Sequence, residues 1–372
     1  MRIGIDCHTV GSRIGGNETY TVNLVQALAR IDQENEYRLY VTKRAPEVDA
    51  LAVGRNFTIT RLVPHTPAIR IPVSFPLELW RHPVDVLHFQ YIAPPWGRTP
   101  VVNMVHDLAH FEFPEFFPAT EVWRQRILLP RAIRTAARVL TVSEYCRRAI
   151  IERFGVPDDR VVVTYSGVSE DFRRPSAESV AAVLREHGLT QPYLLYVGNI
   201  QPRKNLRGLL EAFARVKSAG LPHRLVVVGR AAWGYADVFT RATELGLDSV
   251  VFTSYVPRAH LPALYSGAAA LVYPSFFEGF GAPPVEAMAC GTPVVASARP
   301  AFPEILGDAA ILVDPADPGD IARGILTVLK DHGLRDTLVA RGYERASHYR
   351  WERTARQTLA VFGEVVAKRT KR

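Results

Sequence analysis

The chain has 372 residues, of which 48% are hydrophobic and 22% are charged. This balance is typical of a globular protein, and the length favours two domains over one. No apolar run approaches the ~18 residues that a membrane-spanning helix requires. Arg2 leads directly into a strand-like segment, so we expect no signal peptide and a cytoplasmic location.

The net charge and the cysteine content limit the ligands, metal sites and disulfides that the chain is expected to have. Lys and Arg number 45 against 37 Asp and Glu, and the resulting net charge of +8 suits nucleic acid, an anionic membrane or phosphorylated ligands. Cys7, Cys146 and Cys290 lie far apart and form no CxxC pair, which argues against a disulfide framework or a zinc site. No basic segment with interleaved aromatic residues matches a nucleic-acid-binding module, so no nucleic-acid partner is expected.

Strand-like apolar runs alternate with helix-period stretches, a pattern typical of α/β units on parallel sheets. In the first half, strands are predicted at 3–7, 37–41, 57–62, 84–89, 101–105, 139–142 and 161–164. Helices are predicted at 19–30 and 121–138, the second with a kink or break at Pro130.

A second series follows a polar connector. Its predicted strands are 193–197, 224–228, 250–252, 270–273, 293–296 and 310–313, with helices at 206–219, 258–267 and 284–290, and 320–367 has an almost entirely helical period. The predicted organisation is a first domain at 1–172, a connector at 173–190, a second domain at 191–349 and a final helix at 350–372. Open α/β sheets bind ligands beyond the carboxyl ends of their strands.

Two polar motifs follow strands of the first domain. Gly15 and Gly16 precede a helix, where backbone N–H groups can approach an anion, although a bare tight turn also explains the pair. His106-Asp107 ends a strand: Asp107 can orient the imidazole, or His106 is a satisfied core histidine. The spacing of His106 and His110 resembles that of zinc ligands, but these residues lie on a Phe- and Pro-rich loop without an HExxH pattern, so no metal is predicted.

The second domain supplies cations and carboxylates. Arg203 and Lys204 follow a strand and precede a helix, which suits a diphosphate ligand. Seven residues separate Glu278 from Glu286, with Gly-Phe-Gly and two prolines between them. Glu286 is expected near the start of the short helix, where it can accept hydrogen bonds from a vicinal diol. Glu278 and the following amides can bind sugar hydroxyls. Capping alone explains one such carboxylate but not the whole pattern.

At these residues the sequence resembles family 4 of the glycosyltransferases, which have the two-domain GT-B fold. The resemblance covers nearly the whole chain. The segment Pro202-Arg203-Lys204-Asn205 is similar to the corresponding segment of bacterial mannosyltransferases of cell-surface polysaccharide synthesis. It also includes the segments 142–144, 278–281 and 291–295.

The resemblance implies two Rossmann-like domains facing across a cleft, with the C-terminal helix returning to the first domain. It implies a retaining, metal-independent transfer of a hexose, with mannose from GDP-mannose as the expected donor, to a glycan or lipid-linked acceptor, and no cofactor. A nucleotide-sugar epimerase of the same fold and a catalytically silent sugar-nucleotide-binding homologue remain alternatives.

The resemblance also assigns roles. It implies catalytic roles for His106, Glu278, Arg203 and Lys204. It implies donor binding by Gly15, Gly16, Asn199, Arg203, Lys204, Gly229, Val256, Glu278, Phe280, Gly281 and Glu286. One position departs from the family: many members carry Arg where this chain has Asn199, and Arg203 is the candidate to supply that charge.

The segment 121–153 carries eight arginines against three acidic residues. Trp123 and Ile127 add an apolar component to its first helix. Such a helix can lie on the inner face of an anionic membrane, with about 1 kcal/mol contributed per cation. The alternative is a solvated helix face whose apolar side packs on its own sheet.

Overall fold

The computed structural model describes residues 1–12, 15–49, 51, 54–94, 97–232 and 234–370. The chain divides into two units, one comprising Met1–Gly167 with Arg350–Arg372 and the other comprising Val168–Tyr349. Both units contain a parallel sheet, which confirms the predicted α/β class. Within the described residues, no helix is both long and apolar enough to cross a bilayer.

The first unit is built on a seven-stranded parallel sheet with the order β3-β2-β1-β4-β5-β6-β7. Its strands are β1 Arg2–Asp6, β2 Glu36–Val41, β3 Phe57–Arg61, β4 Val86–Gln90, β5 Val101–Met104, β6 Arg138–Thr141 and β7 Val161–Val163. All five residues of β4 are buried, because helices cover both faces of a parallel sheet. The accompanying helices are α1 Gly16–Ile31, α2 Pro46–Asp49, α3 Pro67–Ile69, α4 Phe75–Arg81, α5 Ala109–Glu112, α6 Ala119–Thr135 and α7 Glu144–Phe154.

The second unit is built on a six-stranded parallel sheet with the order β10-β9-β8-β11-β12-β13. Its strands are β8 Tyr193–Val197, β9 Arg224–Val228, β10 Val250–Ser254, β11 Ala270–Tyr273, β12 Val294–Ser297 and β13 Ile311–Val313. Its helices are α8 Ala177–Glu186, α9 Leu206–Ser218, α10 Ala236–Glu244, α11 Leu261–Gly267, α12 Ala282–Ala289, α13 Phe302–Leu306, α14 Pro318–Lys330 and α15 His332–Ser347.

The last helix, α16 Trp351–Thr370, belongs to the first unit, as the resemblance implies. It packs against α1 and buries Ala355 and Phe362 completely. The indole of Trp351 lies edge-on to the ring of Tyr20, with 5.6 Å between ring centroids, and Arg30 pairs with Glu352 at 2.7 Å. The first unit is therefore assembled from both ends of the chain.

Two segments differ in secondary structure from what the sequence pattern predicts. The helix predicted at 121–138 is α6, which runs unbroken through Pro130 and ends at Thr135, so that Arg138 begins β6 and is buried. The segment 173–190, predicted as a connector, contains α8, which packs on α11 and belongs to the second unit. Its polar composition reflects an exposed helix, since Leu184 is the residue that α8 buries.

Candidate functional site

The second unit brings two cations and a carboxylate together at the carboxyl ends of β8 and β11. These strands are neighbours, so the loops that follow them meet. Lys204 Nζ lies 2.6 Å from Glu278 Oε1, and Arg203 Nη1 lies 3.1 Å from Glu278 Oε2. Lys204 also donates to the Tyr273 hydroxyl at 2.6 Å, and Arg203 donates to the Phe277 carbonyl. The sequence-predicted Arg203, Lys204 and Glu278 therefore form one cluster.

Asn205 holds the cation loop in place. It adopts the left-handed conformation with φ 56°, which Asn tolerates better than most residues, and it caps the N-terminus of α9 through Gly208 N. Its side-chain amide donates to the carbonyls of Pro274 at 3.1 Å and Pro315 at 2.6 Å. These bonds tie the loop after β8 to the segments after β11 and β13, so the positions of the neighbouring cations are preorganised.

The electrostatics of the cluster favour full ionisation. Burial acts to raise the pKa of Glu278, but attraction to Arg203 and Lys204 and hydrogen bonds from both outweigh it and bring the pKa to about 2. Burial raises the pKa of Tyr273, and the Glu278 carboxylate raises it further, so this phenol stays protonated beside the ammonium. The site is therefore an ionised triad in a buried setting, where charges interact more strongly than in water.

Glu286 is not near the start of its helix, contrary to the expectation. The short helix is α12, which begins at Ala282, so Glu286 is its fifth residue. Burial raises the pKa of Glu286, and the nearby Arg258 and a 2.9 Å hydrogen bond from the Tyr265 hydroxyl only partly offset this. That bond reaches Oε2, and among the described residues no hydrogen bond reaches Oε1.

The loop between the two glutamates requires glycine. Gly281 has φ 80° and is the N-cap of α12, without a side-chain cap. A Cβ at this position would lie 2.2 Å from the Phe302 ring, so another residue would clash. Pro283 and Pro284 occupy the first turn and lack an N–H group, which leaves few amides to bind a ligand at this helix end. Phe280 is buried against Tyr349, with 5.2 Å between ring centroids.

Asn199, Gly229 and Val256 lie just beyond β8, β9 and β10 of the same sheet edge. A Cβ on Gly229 would lie 2.0 Å from the carbonyl oxygen of Gly198, so these two loops approach too closely for any side chain. Val256 is buried. The cluster, Glu286 and this edge thus belong to one unit, while the remaining predicted residues belong to the other.

In the first unit, Gly15 is the N-cap of α1, and Gly16 is its first residue. The helix therefore begins three residues before the prediction. Glu18 closes the turn by accepting a 2.7 Å hydrogen bond from Gly11 N. Arg13 and Ile14 of this motif lie outside the described residues.

The imidazole of His106 is oriented by Gln90, not by Asp107. His106 Nε2 lies 3.0 Å from Gln90 Oε1, and the Gln90 amide donates to Thr21, so the imidazole carries its proton on Nε2. Asp107 accepts from the backbone of Ala109 instead. Burial, with a smaller contribution from His88, lowers the pKa of His106 to about 3. His106 is therefore neutral at physiological pH.

His110 does not join His106 in a cluster of metal-ligand side chains. It stacks on Phe117, with 4.0 Å between ring centroids, and lies 3.7 Å from Glu121. Among the described residues, such a cluster is formed by Glu186, His187 and His260 in the second unit, where the two imidazoles are 3.0 Å apart, a hydrogen-bonding distance.

Sequence reasoning missed the residues that orient the predicted ones: Tyr273 beside Lys204, Tyr265 on Glu286, and Gln90 on His106. Gln90 and Tyr273 are the last residues of β4 and β11. Their position at strand ends is the signal that could have found them.

Two family models cover most of the chain. The model for "Glycosyltransferase Family 4" matches residues 14–172, and the model for "Glycosyl transferases group 1" matches residues 184–345. The chain is 37% identical to the O-antigen chain mannosyltransferase B of Escherichia coli, over 97% of this chain and 99% of that protein.

Solved structures share the fold at lower identity. Sucrose-phosphate synthase from Thermosynechococcus elongatus superimposes with a TM-score of 0.80 at 22% identity, covering 99% of this chain and 100% of that one. Anabaena Alr3699/HepE in complex with UDP and glucose gives a TM-score of 0.77 at 19% identity, covering 98% and 100%.

Proposed function

Because the chain belongs to family 4 of the glycosyltransferases and is a GT-B glycosyltransferase, we propose that it transfers mannose from GDP-mannose, with retention, to a glycan or lipid-linked acceptor. The observation that carries the proposal is the buried cluster of Arg203, Lys204 and Glu278. The name of the mannosyltransferase relative supports the choice of sugar.

Arg203 and Lys204 would stabilise the departing diphosphate. Departure of a nucleoside diphosphate places negative charge on its β-phosphate, and preorganised cations lower the barrier because they need no rearrangement. Their hydrogen bonds to the Phe277 carbonyl and the Tyr273 hydroxyl hold them in place before the donor arrives. Gly15 and Gly16, at the N-terminus of α1, would add backbone N–H groups to a phosphate.

The carboxylates would bind the donor's hydroxyl groups. Glu278 with the amides of Phe280 and Gly281 would hold the sugar. Glu286 would accept from the ribose diol, since a carboxylate oxygen of Glu286 is available beside the bond from Tyr265. Asn199, Gly229 and Val256 would line the base end of the donor, where closely packed backbone offers amides and carbonyls.

His106 would contact the donor sugar as a neutral imidazole. Its pKa of about 3 excludes a role as an imidazolium at neutral pH, and Gln90 fixes its orientation. None of the assigned carboxylates is an obvious covalent nucleophile, since Glu278 is committed to two cations. We therefore propose same-face attack by the acceptor, without a glycosyl-enzyme intermediate.

Product analysis tests this function. The protein is incubated with GDP-mannose or with UDP-, ADP- and dTDP-hexoses, alone and with mannose-terminated glycans, and products are identified by mass spectrometry and NMR. An α-linked product from the α-donor supports retaining transfer. Conversion of the donor sugar without acceptor indicates the epimerase. If the wild-type protein and Lys204→Ala are equally inactive with every donor, the protein is a silent homologue.

We also propose that α6 contacts an anionic membrane. Trp123 and Ile127 are 69% and 50% exposed, so this apolar side does not pack on the sheet. Arg124, Arg126 and Arg131 are exposed on the same helix, whereas Arg138 is buried and cannot contribute. Cations beside an exposed indole suit the interface of a bilayer.

Liposome sedimentation tests the membrane proposal. Binding is expected to rise with anionic lipid, fall with salt and weaken when Arg124, Arg126 and Arg131 are changed to Glu. Changing Arg173, Arg174 and Arg185 to Glu, all at exposed positions of the second unit, is the charge-matched control. Equal recovery in the supernatant with neutral and anionic vesicles at low salt would contradict the proposal.

A further inference from the structure

Arg70 in the first unit is a buried cation whose charge is not matched. Its side chain is 2% exposed, and Nε and Nη1 have no hydrogen-bond partner among the described residues. It begins the π-helical segment Arg70–Ser74 between α3 and α4, a conformation frequent at functional sites. A buried charge without a hydrogen-bonded partner is costly, and a bound anion would offset that cost.

Asp6, a carboxylate that attracts Arg70 electrostatically, is already engaged. Asp6 Oδ2 lies 2.6 Å from His8 Nδ1, and Oδ1 accepts from His8 N at 3.3 Å. Asp6 attracts the Arg70 guanidinium electrostatically, but the described residues include no ion pair or hydrogen bond between the two. Burial accordingly lowers the pKa of Arg70.

Further positively charged groups act on the same histidine as Arg70. The pKa of His65 is lowered by partial burial and then by the positive charges of Arg70, Lys43 and His8, so these groups share one region. Lys43 follows β2, and Asp6 ends β1. These strands pair in parallel, so the region lies at their carboxyl ends, where open sheets bind ligands. Lys43 forms no ion pair with any described residue.

We propose that Arg70 and Lys43 bind a phosphate group, as a monoester or a diphosphate, at a site separate from the cations of the second unit. The guanidinium fork and the ammonium match the oxygens of such a group. Exposed Ile69, Val73 and Trp80 on the adjoining helical segments would contact a lipid that carries the phosphate. That this site binds an anion does not depend on the proposed function. That the anion belongs to the acceptor rests on the proposed function.

Isothermal titration with inorganic pyrophosphate tests the site, using full-length protein in the Lys204→Ala background to remove a donor-side cation. Lys43→Gln is expected to weaken binding by about tenfold or more. Arg70→Met is expected to abolish binding and to raise the melting temperature of the ligand-free protein, because it removes an unpaired buried charge. Arg55→Gln, an exposed position before β3, is the control and should change the dissociation constant less than twofold.

Several results would overturn the inference. One is pyrophosphate binding by Lys43→Gln that is as tight as without this substitution. Another is an Arg70→Met variant with a lower melting temperature and unchanged affinity for pyrophosphate, which would show that Arg70 has a structural role. If Arg70→Met does not fold, Lys43→Gln decides alone.

Vesicles with phosphatidic acid distinguish the source of the phosphate. If the vesicles capture the protein and this capture requires Lys43, the phosphate belongs to a lipid. If the protein binds pyrophosphate but is not captured by the vesicles, the phosphate belongs to a soluble ligand. Absence of sugar transfer by the wild-type protein, together with pyrophosphate binding that requires Lys43, would reject the proposed function and leave this site in place.

Discussion

Replacing Glu278 by Gln is expected to destabilise the ligand-free protein and to tighten its binding of a nucleoside diphosphate. The carboxylate is 8% exposed and lies between Arg203 and Lys204. Without it, two like charges remain buried with their main counterion removed. A diphosphate then supplies that counterion. Sugar transfer is nevertheless expected to fall, because in the proposed function Glu278 also contacts the donor sugar.

The size of the effect follows from the ionisation of Glu278. Its pKa is about 2, against an ordinary value of 4.5. At ~1.4 kcal/mol per pH unit this difference corresponds to about 3 kcal/mol, and breaking a buried pair by removing one partner costs up to ~5 kcal/mol. A lowered pKa stabilises the fold above pH 4.5, and the contribution is lost as pH falls through about 2. Glu278→Gln should lack this acid dependence.

Urea unfolding at pH 7 and at pH 3, with and without GDP, measures both effects. Glu211→Gln is the matched control, since Glu211 lies between Arg207 at 3.6 Å and Arg241 at 3.1 Å but is more exposed, and it should lose less than ~1 kcal/mol. A loss below about 1 kcal/mol in Glu278→Gln, or a weaker affinity for GDP than in the wild type, would refute the reasoning.

Three further predictions concern catalysis. His106→Ala should lower kcat on the order of 10²-fold, and the wild-type pH–rate profile should show no titration of His106 between pH 5 and 8, because its pKa is about 3; an effect on KM alone would reduce His106 to a binding residue. Glu286→Gln should raise the donor KM about tenfold without lowering the melting temperature, since burial raises the pKa of this carboxyl; unchanged donor kinetics would remove it from the site. Activity should survive excess EDTA, because in the proposed function Arg203 and Lys204 supply the positive charge; loss of activity that Mg²⁺ or Mn²⁺ restores would contradict this.

The sheets were the most predictable part of the fold. Strands β8, β9 and β11 have the bounds that their apolar runs predict, because strands covered on both faces are apolar throughout. Helices with a polar surface or an internal proline were less predictable. The polar surface of α8 resembles a connector. A kink or break was expected at Pro130, but α6 is continuous there, and Leu129 and Ile133 pack in the core on either side of the proline.

The candidate site was predictable in its charged residues but not in their pairing. Lys204 and Glu278 were both singled out, yet their contact depends on β8 lying beside β11, which no local pattern encodes. The partner of His106 was missed for the same reason, since Gln90 is on the neighbouring strand β4 and Asp107 is merely adjacent in sequence. Local patterns identify chemical groups, and strand order decides which groups meet.

The return of α16 to the first unit affects how the protein is made. Because the second unit, Val168–Tyr349, is inserted between the two segments of the first, a ribosome completes it before α16 is synthesised. The face of α1 that α16 covers stays exposed during that time, whereas the second unit can fold as soon as it emerges. The N-terminal unit is thus the last to be finished, and an mRNA truncated before Trp351 would yield a chain with a completed second unit and an unfinished first one.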